Sequence, residues 1–291
     1  MNTILVTGKN GQVGWELVRT LAPLGNVIAI DADEVDFTQP EKFRSFVRNI
    51  SDIRLIVNPA AYTNVDGAED APELAKQINS DAPAVLAEEA TRLGIPMIHY
   101  STDYVFDGKK ETSYLETDPT GPLGVYGQTK LDGETAVCSI NPKHLVFRLC
   151  WVYGARGKNF FLTMLRLAKQ NTVPKVVYDQ FGSPTWSRMI AEATALITAQ
   201  VLRQPERNDW GIYHLAAGGV TNWHAFAAEI FRWANEKYGL ANAEPIAIPS
   251  SEYPTKAERP KFSHLSVEKI ADVFGIWLPD WKEQLKLVGE E

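Results

Sequence analysis

The stretch Thr3-Ile4-Leu5-Val6-Thr7-Gly8-Lys9-Asn10-Gly11-Gln12-Val13-Gly14 decides the fold. Its first five residues are β-branched or large aliphatic, the composition of a strand covered on both faces. Gly8, Gly11 and Gly14 come next, followed by an amphipathic run to about Leu24. This reads as a strand, a tight glycine turn and a helix start. Glycines let the chain turn sharply and let backbone amides approach a pyrophosphate, whose charge the first turn and dipole of the next helix stabilise. The spacing is GxxGxxG. Placed directly after a first strand, it predicts a dinucleotide-binding turn with Gly8, Asn10, Gly11, Gln12, Val13 and Gly14 as cofactor contacts.

Working outward, short β-rich runs recur at 27–31, 55–58, 96–100 and 145–149. Helical stretches such as 41–49 and 72–93 separate them. The alternation predicts an α/β fold, a Rossmann-type doubly wound parallel sheet over residues 1–150. Beyond Trp151 the regularity fades into helical runs at 160–170, 187–202 and 223–238, set among Gly, Pro and aromatic residues. Residues 151–291 are therefore read mainly as a smaller mixed α/β substrate domain, with some segments returning to the first sheet.

Ligands in such sheets settle at the carboxyl ends of the strands. Asp31 ends the second run, 17 residues after Gly14, where a carboxylate can accept from ribose hydroxyls and repel a 2′-phosphate. No arginine follows to receive such a phosphate. The third run ends in Asn58-Pro59-Ala60-Ala61-Tyr62-Thr63, and the small residues there let a cofactor lie close.

Ser101 and Thr102 follow the fourth run on the same edge, and Tyr126-Gly127-Gln128-Thr129-Lys130 follows the loop Asp118-Pro119-Thr120-Gly121-Pro122, whose prolines aim the next helix. If Tyr126 to Lys130 is helical, the four-residue spacing puts phenol and ammonium on one face. An ammonium that close favours phenolate and draws the tyrosine down from about 10 toward the range of an acid catalyst.

The order of these motifs resembles the extended short-chain dehydrogenase/reductases. Further stretches narrow it: Tyr100-Ser-Thr-Asp-Tyr-Val-Phe106, Arg148 to Gly154 with Trp151 and Tyr153, 163–168, and Asp179-Gln-Phe-Gly-Ser-Pro-Thr185 resemble the dTDP-4-dehydrorhamnose reductase family, over residue 1 to about 275. The resemblance implies hydride transfer from NADH or NADPH to the C4 ketone of a dTDP-4-dehydro-6-deoxy sugar, giving dTDP-L-rhamnose. It implies that Tyr126 donates the proton, that Lys130 binds nicotinamide-ribose hydroxyls and tunes Tyr126, and that Thr102 hydrogen-bonds the carbonyl oxygen. It adds Asp36, Phe37, Ala60, Ala61, Tyr62 and Tyr100 on the cofactor side. On the substrate side it adds Thr63, Asp103, Trp151 and Arg259, with the face of Trp151 lining the sugar pocket. Arg148, Lys158 and Arg259 become candidates for the substrate pyrophosphate.

Relatives can form homodimers around Mg²⁺ held by glutamates, and Glu16 falls at one such position. Arg188 stands where a second acid is expected and Glu192 lies one turn on, so charge pairing replaces the dication there. Another nucleotide-sugar 4-ketoreductase or epimerase would share all these motifs. A non-catalytic regulatory subunit like that of methionine adenosyltransferase would have no need of Thr102, Tyr126 and Lys130.

Composition excludes other classes. At 45% hydrophobic and 22% charged, with net charge −7, the chain has no general attraction for nucleic acid or an anionic membrane. It shows neither a basic leader nor an apolar run near 18 residues, which predicts a cytoplasmic protein. Cys138 and Cys150 lack CxxC spacing, the five histidines form neither HxH nor HExxH, and no serine lies in GxSxG.

Overall fold

In the computed structural model, which describes residues 3–204, 206–240 and 243–288, β1 (Thr3–Thr7) is buried along its whole length. Parallel partners flank it, β2 (Asn26–Ile30) on one side and β3 (Ile53–Asn58) on the other. A parallel strand covered by helices on both faces needs apolar residues at successive positions, which is what this run supplies. Strands β4 (Met97–Thr102), β5 (His144–Leu149) and, after four short strands, β10 (Gly211–His214) extend the sheet in the order β10-β5-β4-β3-β1-β2. Every pairing in it is parallel, so the predicted doubly wound sheet is present.

The helices cover both faces. Against one lie α1 (Gln12–Thr20), α8 (Ser187–Arg203) and α10 (Glu268–Phe274), where Leu17, Ile197 and Phe274 meet Ile4, Val6, Val57 and Phe147. Against the other lie α2 (Pro40–Arg48), α5 (Ala82–Leu93) and α6 (Val125–Ile140), where Phe43, Leu86 and Val137 meet Leu5, Ile56, Met97 and Val146. Residues 187–214 thus belong to the first sheet although they follow Trp151.

A third apolar cluster gathers α7 (Phe160–Lys169), α9 (Trp223–Tyr238) and α11 (Trp281–Leu287) around Tyr153, Phe161, Phe226 and Leu285. Three two-stranded ribbons accompany it: β6 (Val152–Tyr153) with β9 (Thr185–Trp186), β7 (Lys175–Val177) with β12 (Ile246–Ile248), and β8 (Phe181–Gly182) with β11 (Thr221–Asn222). Val105, Phe106, Tyr114, Cys150 and Leu265 form a smaller cluster of their own. No helix among the described residues is long and apolar enough to cross a membrane.

Strand order reverses between β1 and β3, so the crevice expected to receive a ligand opens at the carboxyl ends of these strands. Two local differences from the sequence reading shape that rim. Strand β4 continues through Ser101 and Thr102, which makes Thr102 its last residue. The helical run 72–93 is divided into α4 (Pro72–Lys76), a π-helical turn over Gln77–Asp81, and α5. The wide turn carries Asn79, which is fully buried. Single π-turns are rare and concentrate at functional sites.

Helix α6 is brought unusually close to this turn. Its N-cap Gly124 offers no side chain, and Glu69 of α3 (Val65–Asp70) accepts the Val125 N–H at 2.8 Å instead. A Cβ on Gly133 would stand 1.9 Å from the Asn79 carbonyl oxygen. Gly133→Ala must therefore push α6 outward, and such overpacking costs about 1–3 kcal/mol. Urea unfolding should show a loss of that size; an unchanged midpoint would mean that the helix has room to spare.

Candidate active site

The glycine turn is folded tightly enough to exclude side chains. Gly8 has φ +63°, and a Cβ there would lie 2.8 Å from Ala60 Cα; one on Gly14 would lie 2.0 Å from the Gly8 carbonyl oxygen. Behind the turn, α1 begins at Gln12 after the N-cap Gly11, with no side-chain cap and no acid in its first turn. The first amides of a helix have no intrahelical acceptor, so Gln12, Val13 and Gly14 present donors and the positive end of a dipole. An acidic chain thereby keeps a local anion site suited to a dinucleotide pyrophosphate.

Asp31 organises the outer half of the turn. Its carboxylate accepts the Asn10 N–H at 2.9 Å and the Ala32 N–H at 2.8 Å. Lys9 pairs with Glu34 and lies 3.7 Å from Asp33. Ala60 and Ala61 are partly exposed at the end of β3. The Asp36 side chain instead closes its own turn by accepting the Thr38 N–H at 2.9 Å, and Phe37 is buried against Phe43. The Tyr100 side chain faces away, its hydroxyl 2.8 Å from Thr194; its backbone carbonyl is what meets Lys130.

Lys130 is almost completely buried and donates from Nζ to the Tyr100 carbonyl at 2.6 Å. Burial draws its pKa down to about 8 against an opposing pull from Glu134. The Tyr126 phenol moves the other way. Burial raises it, the Thr102 hydroxyl opposes more weakly, and Asp103 and Tyr104 add to the rise. The expectation that Lys130 lowers Tyr126 does not hold, because burial outweighs it and the ammonium is directed to the Tyr100 carbonyl. A phenol held protonated at neutral pH is still the form a proton donor requires.

Thr102 sits beside this pair, but its hydroxyl donates to Asp103 Oδ1 at 3.0 Å and accepts the Tyr104 N–H at 3.2 Å. Asp103 is buried behind Thr102, pushed up to about 6 chiefly by burial, and accepts from Cys150 Sγ at 3.3 Å. It supports Thr102 rather than facing an open pocket. Tyr104 meets the Tyr126 ring edge-on with centroids 5.6 Å apart, and its hydroxyl accepts from Arg259 Nη1 at 3.4 Å. Arg259 also binds Asp66 at 2.8 Å, which places it across Tyr104 from the Tyr126 phenol. Thr63 is exposed next to Asn64, the N-cap of α3.

The sequence reading missed Asn79. Its Oδ1 accepts the Tyr62 N–H at 2.8 Å, while Nδ2 donates to the Tyr62 carbonyl at 3.2 Å and to Thr129 Oγ1 at 3.1 Å. The Thr129 hydroxyl in turn donates to the Tyr126 carbonyl at 3.1 Å. A single buried amide therefore ties the end of the cofactor crevice to the helix turn carrying the phenol. Pro83 inside the apparent helix 72–93 was the available sign of a break.

Two further expectations are corrected, and one pairing is as expected. Arg148 cannot serve a pyrophosphate, because it is buried and forms a two-pronged pair with Glu134 at 2.5 and 3.0 Å. The nearly buried Glu16 faces Arg188 at 3.4 Å, the charge pairing expected there, and a guanidinium so close to the carboxylate does not suit Mg²⁺. The Trp151 ring does not present a free face: it stacks on Trp223. Lys158 is exposed in the loop that Asn159 fastens to Gln12 Oε1 at 2.8 Å.

A glycine turn at the switch point, with Thr102, Tyr126 and Lys130 on the same rim, defines an oxidoreductase of the extended short-chain dehydrogenase/reductase class. The chain belongs to the family described as the RmlD substrate binding domain, which matches residues 1–291. A dTDP-4-dehydrorhamnose reductase of Burkholderia thailandensis is 48% identical, covering 96% of this chain and 95% of its own. The crystal structure of a dTDP-4-dehydrorhamnose reductase from Clostridium acetobutylicum superposes with a TM-score of 0.90 at 35% identity, covering 99% of this chain and 98% of that one. The Bacillus anthracis dTDP-4-dehydrorhamnose reductase, solved in complex with NADP, gives 0.88 at 30% identity and 99% coverage of both chains.

The depressed Lys130 predicts a pH dependence of stability. The unfolded chain keeps this proton to about 10.5 and the folded chain only to about 8, so between these values the folded state holds fewer protons and stability rises with pH. Below about 8 the full cost of burying the charge remains. Urea unfolding across this window should show the rise in the parent protein relative to Lys130→Met; parallel curves would contradict it.

Proposed function

We propose that this protein reduces the C4 ketone of dTDP-4-dehydro-6-deoxy-L-mannose (dTDP-4-dehydro-β-L-rhamnose) to dTDP-L-rhamnose with NADH or NADPH. The observation that carries the reading is the convergence of Tyr126, Lys130 and Thr102 beside the glycine turn, in a chain similar along its length to reductases of that name. The bound nicotinamide supplies the hydride. The protein supplies the rest. The α1 amides hold the pyrophosphate, and the Asp31 carboxylate offers acceptors to the adenosine ribose. Lys130, fixed against the Tyr100 carbonyl, has further N–H groups for the nicotinamide ribose.

Tyr126 gives its proton to the oxygen of the ketone as charge develops there. An alkoxide is a far stronger base than phenolate, so even a phenol raised by burial transfers readily at that moment. Thr102 has one proton, which it turns from Asp103 toward the same oxygen, stabilising the negative charge. The same reading, through the family resemblance, makes the protein a cytoplasmic enzyme that works as a homodimer.

The test is loss of reduced-nicotinamide absorbance when the purified protein alone meets the keto sugar nucleotide. Turnover is expected; none with either cofactor would reject the proposal. Tyr126→Phe should lower kcat at least about a hundredfold while the cofactor still binds, because only the transferred proton is lost. Asp31→Ala should reduce the preference for NADH over NADPH, and an unaltered ratio would remove Asp31 from ribose recognition.

A further inference from the structure

Trp151 leaves β5 with φ +43°, a left-handed conformation that a bulky aromatic residue adopts only when its surroundings enforce it. The surroundings here are specific. The Thr185 N–H donates to the Trp151 carbonyl at 3.2 Å, and the next two residues enter the β6–β9 ribbon. The indole stacks on Trp223 with centroids 3.6 Å apart and planes 9° apart. That separation leaves almost no lateral offset, so Trp223 covers one whole face.

Gly182 meets the other face. A Cβ there would come within 2.6 Å of Cε2, 2.8 Å of Nε1 and 2.9 Å of Cζ2 of Trp151. A point nearest the ring-fusion carbon and nearly equidistant from its two neighbours lies above the ring plane, not beside it. Trp223 already fills one side, so Gly182 occupies the opposite one. Both plates come from one ribbon: Gly182 pairs with Thr221, and Asn222 caps α9 by accepting the Ala225 N–H at 2.8 Å, which sets Trp223 as its first helical residue. Phe160 backs Trp223 with centroids 4.7 Å apart.

We infer that Trp223 and Gly182 are positioning residues for the sugar subsite, clamping Trp151 so that it meets the substrate through its edge rather than its face. This rests on the proposed reductase function and on the family resemblance that puts Trp151 at the sugar pocket. The edge of an indole is electropositive and carries the Nε1–H, whereas its face is negative. A clamped edge therefore favours a sugar oxygen over a C–H surface, which selects for a hydroxyl or keto group at that place on the hexose.

The experiment uses the intact protein with NADPH and dTDP-4-dehydro-6-deoxy-L-mannose. Stacked indoles give an exciton couplet in far-ultraviolet circular dichroism, which should vanish in Trp223→Phe and in Trp151→Phe alike. Trp223→Ala should raise KM for the keto sugar nucleotide on the order of tenfold, with kcat held within about threefold and NADPH affinity unchanged, and Trp223→Phe should recover most of the KM. Gly182→Ala, which forces the ring from the other side, should raise KM in the same way and serves if Trp223→Ala does not fold. An unmoved KM in folded Trp223→Ala or in Gly182→Ala, or a loss of kcat with KM unmoved, overturns the inference. Absence of turnover in the parent protein rejects the proposed function instead.

Discussion

The rim that carries Thr102, Tyr126 and Lys130 depends on one contact, the buried Lys130 ammonium against the Tyr100 carbonyl. Strand β4 runs on past its last pairing with β3, Asn58 with His99, and the Tyr100 carbonyl just beyond accepts from a lysine that has lost nearly all of its water. For Nζ to come within 2.6 Å of that oxygen, α6 has to lie deep on the sheet. The side-chain-free positions at Gly127 and Gly133, the borrowed cap from Glu69 and the wide turn at Asn79 are the local means of bringing it there. Tyr126 lies one turn earlier on the same helix, so the depth of Lys130 also sets the depth of the phenol.

Desolvation then gives the two groups opposite tendencies. It makes the ammonium easier to deprotonate and the phenol harder. A nucleotide cofactor is anionic and rich in hydroxyls, so its arrival would return to Lys130 some of the polar surroundings that burial removed. The acidic net charge of the chain makes such local donors necessary, because long-range attraction for an anion is absent.

Much of this was legible in the sequence because it is encoded locally. Strand composition in Thr3 to Thr7, the three glycines after it and the Tyr126 to Lys130 spacing each report short-range geometry, and the structure places all of them on one rim. What escaped is encoded between distant positions. Asn79 acts on Thr129, 50 residues away, and Arg148 is satisfied by Glu134 in a helix that the sequence pattern could place but not orient. The direction of the Tyr126 shift was misread because spacing puts an ammonium near a phenol but does not report the burial that raises it. Trp151 and Trp223 likewise meet only because two ribbons and a helix start converge.

The most direct measurement is a crystal structure of the protein with oxidised dinucleotide and dTDP-L-rhamnose. The Lys130 Nζ should lie within hydrogen-bond distance, about 3 Å, of the nicotinamide-ribose hydroxyls, with the Tyr126 hydroxyl equally close to O4 of the sugar. A nicotinamide lying away from the β4 carboxyl end, or a Tyr126 hydroxyl out of reach of O4, would contradict it.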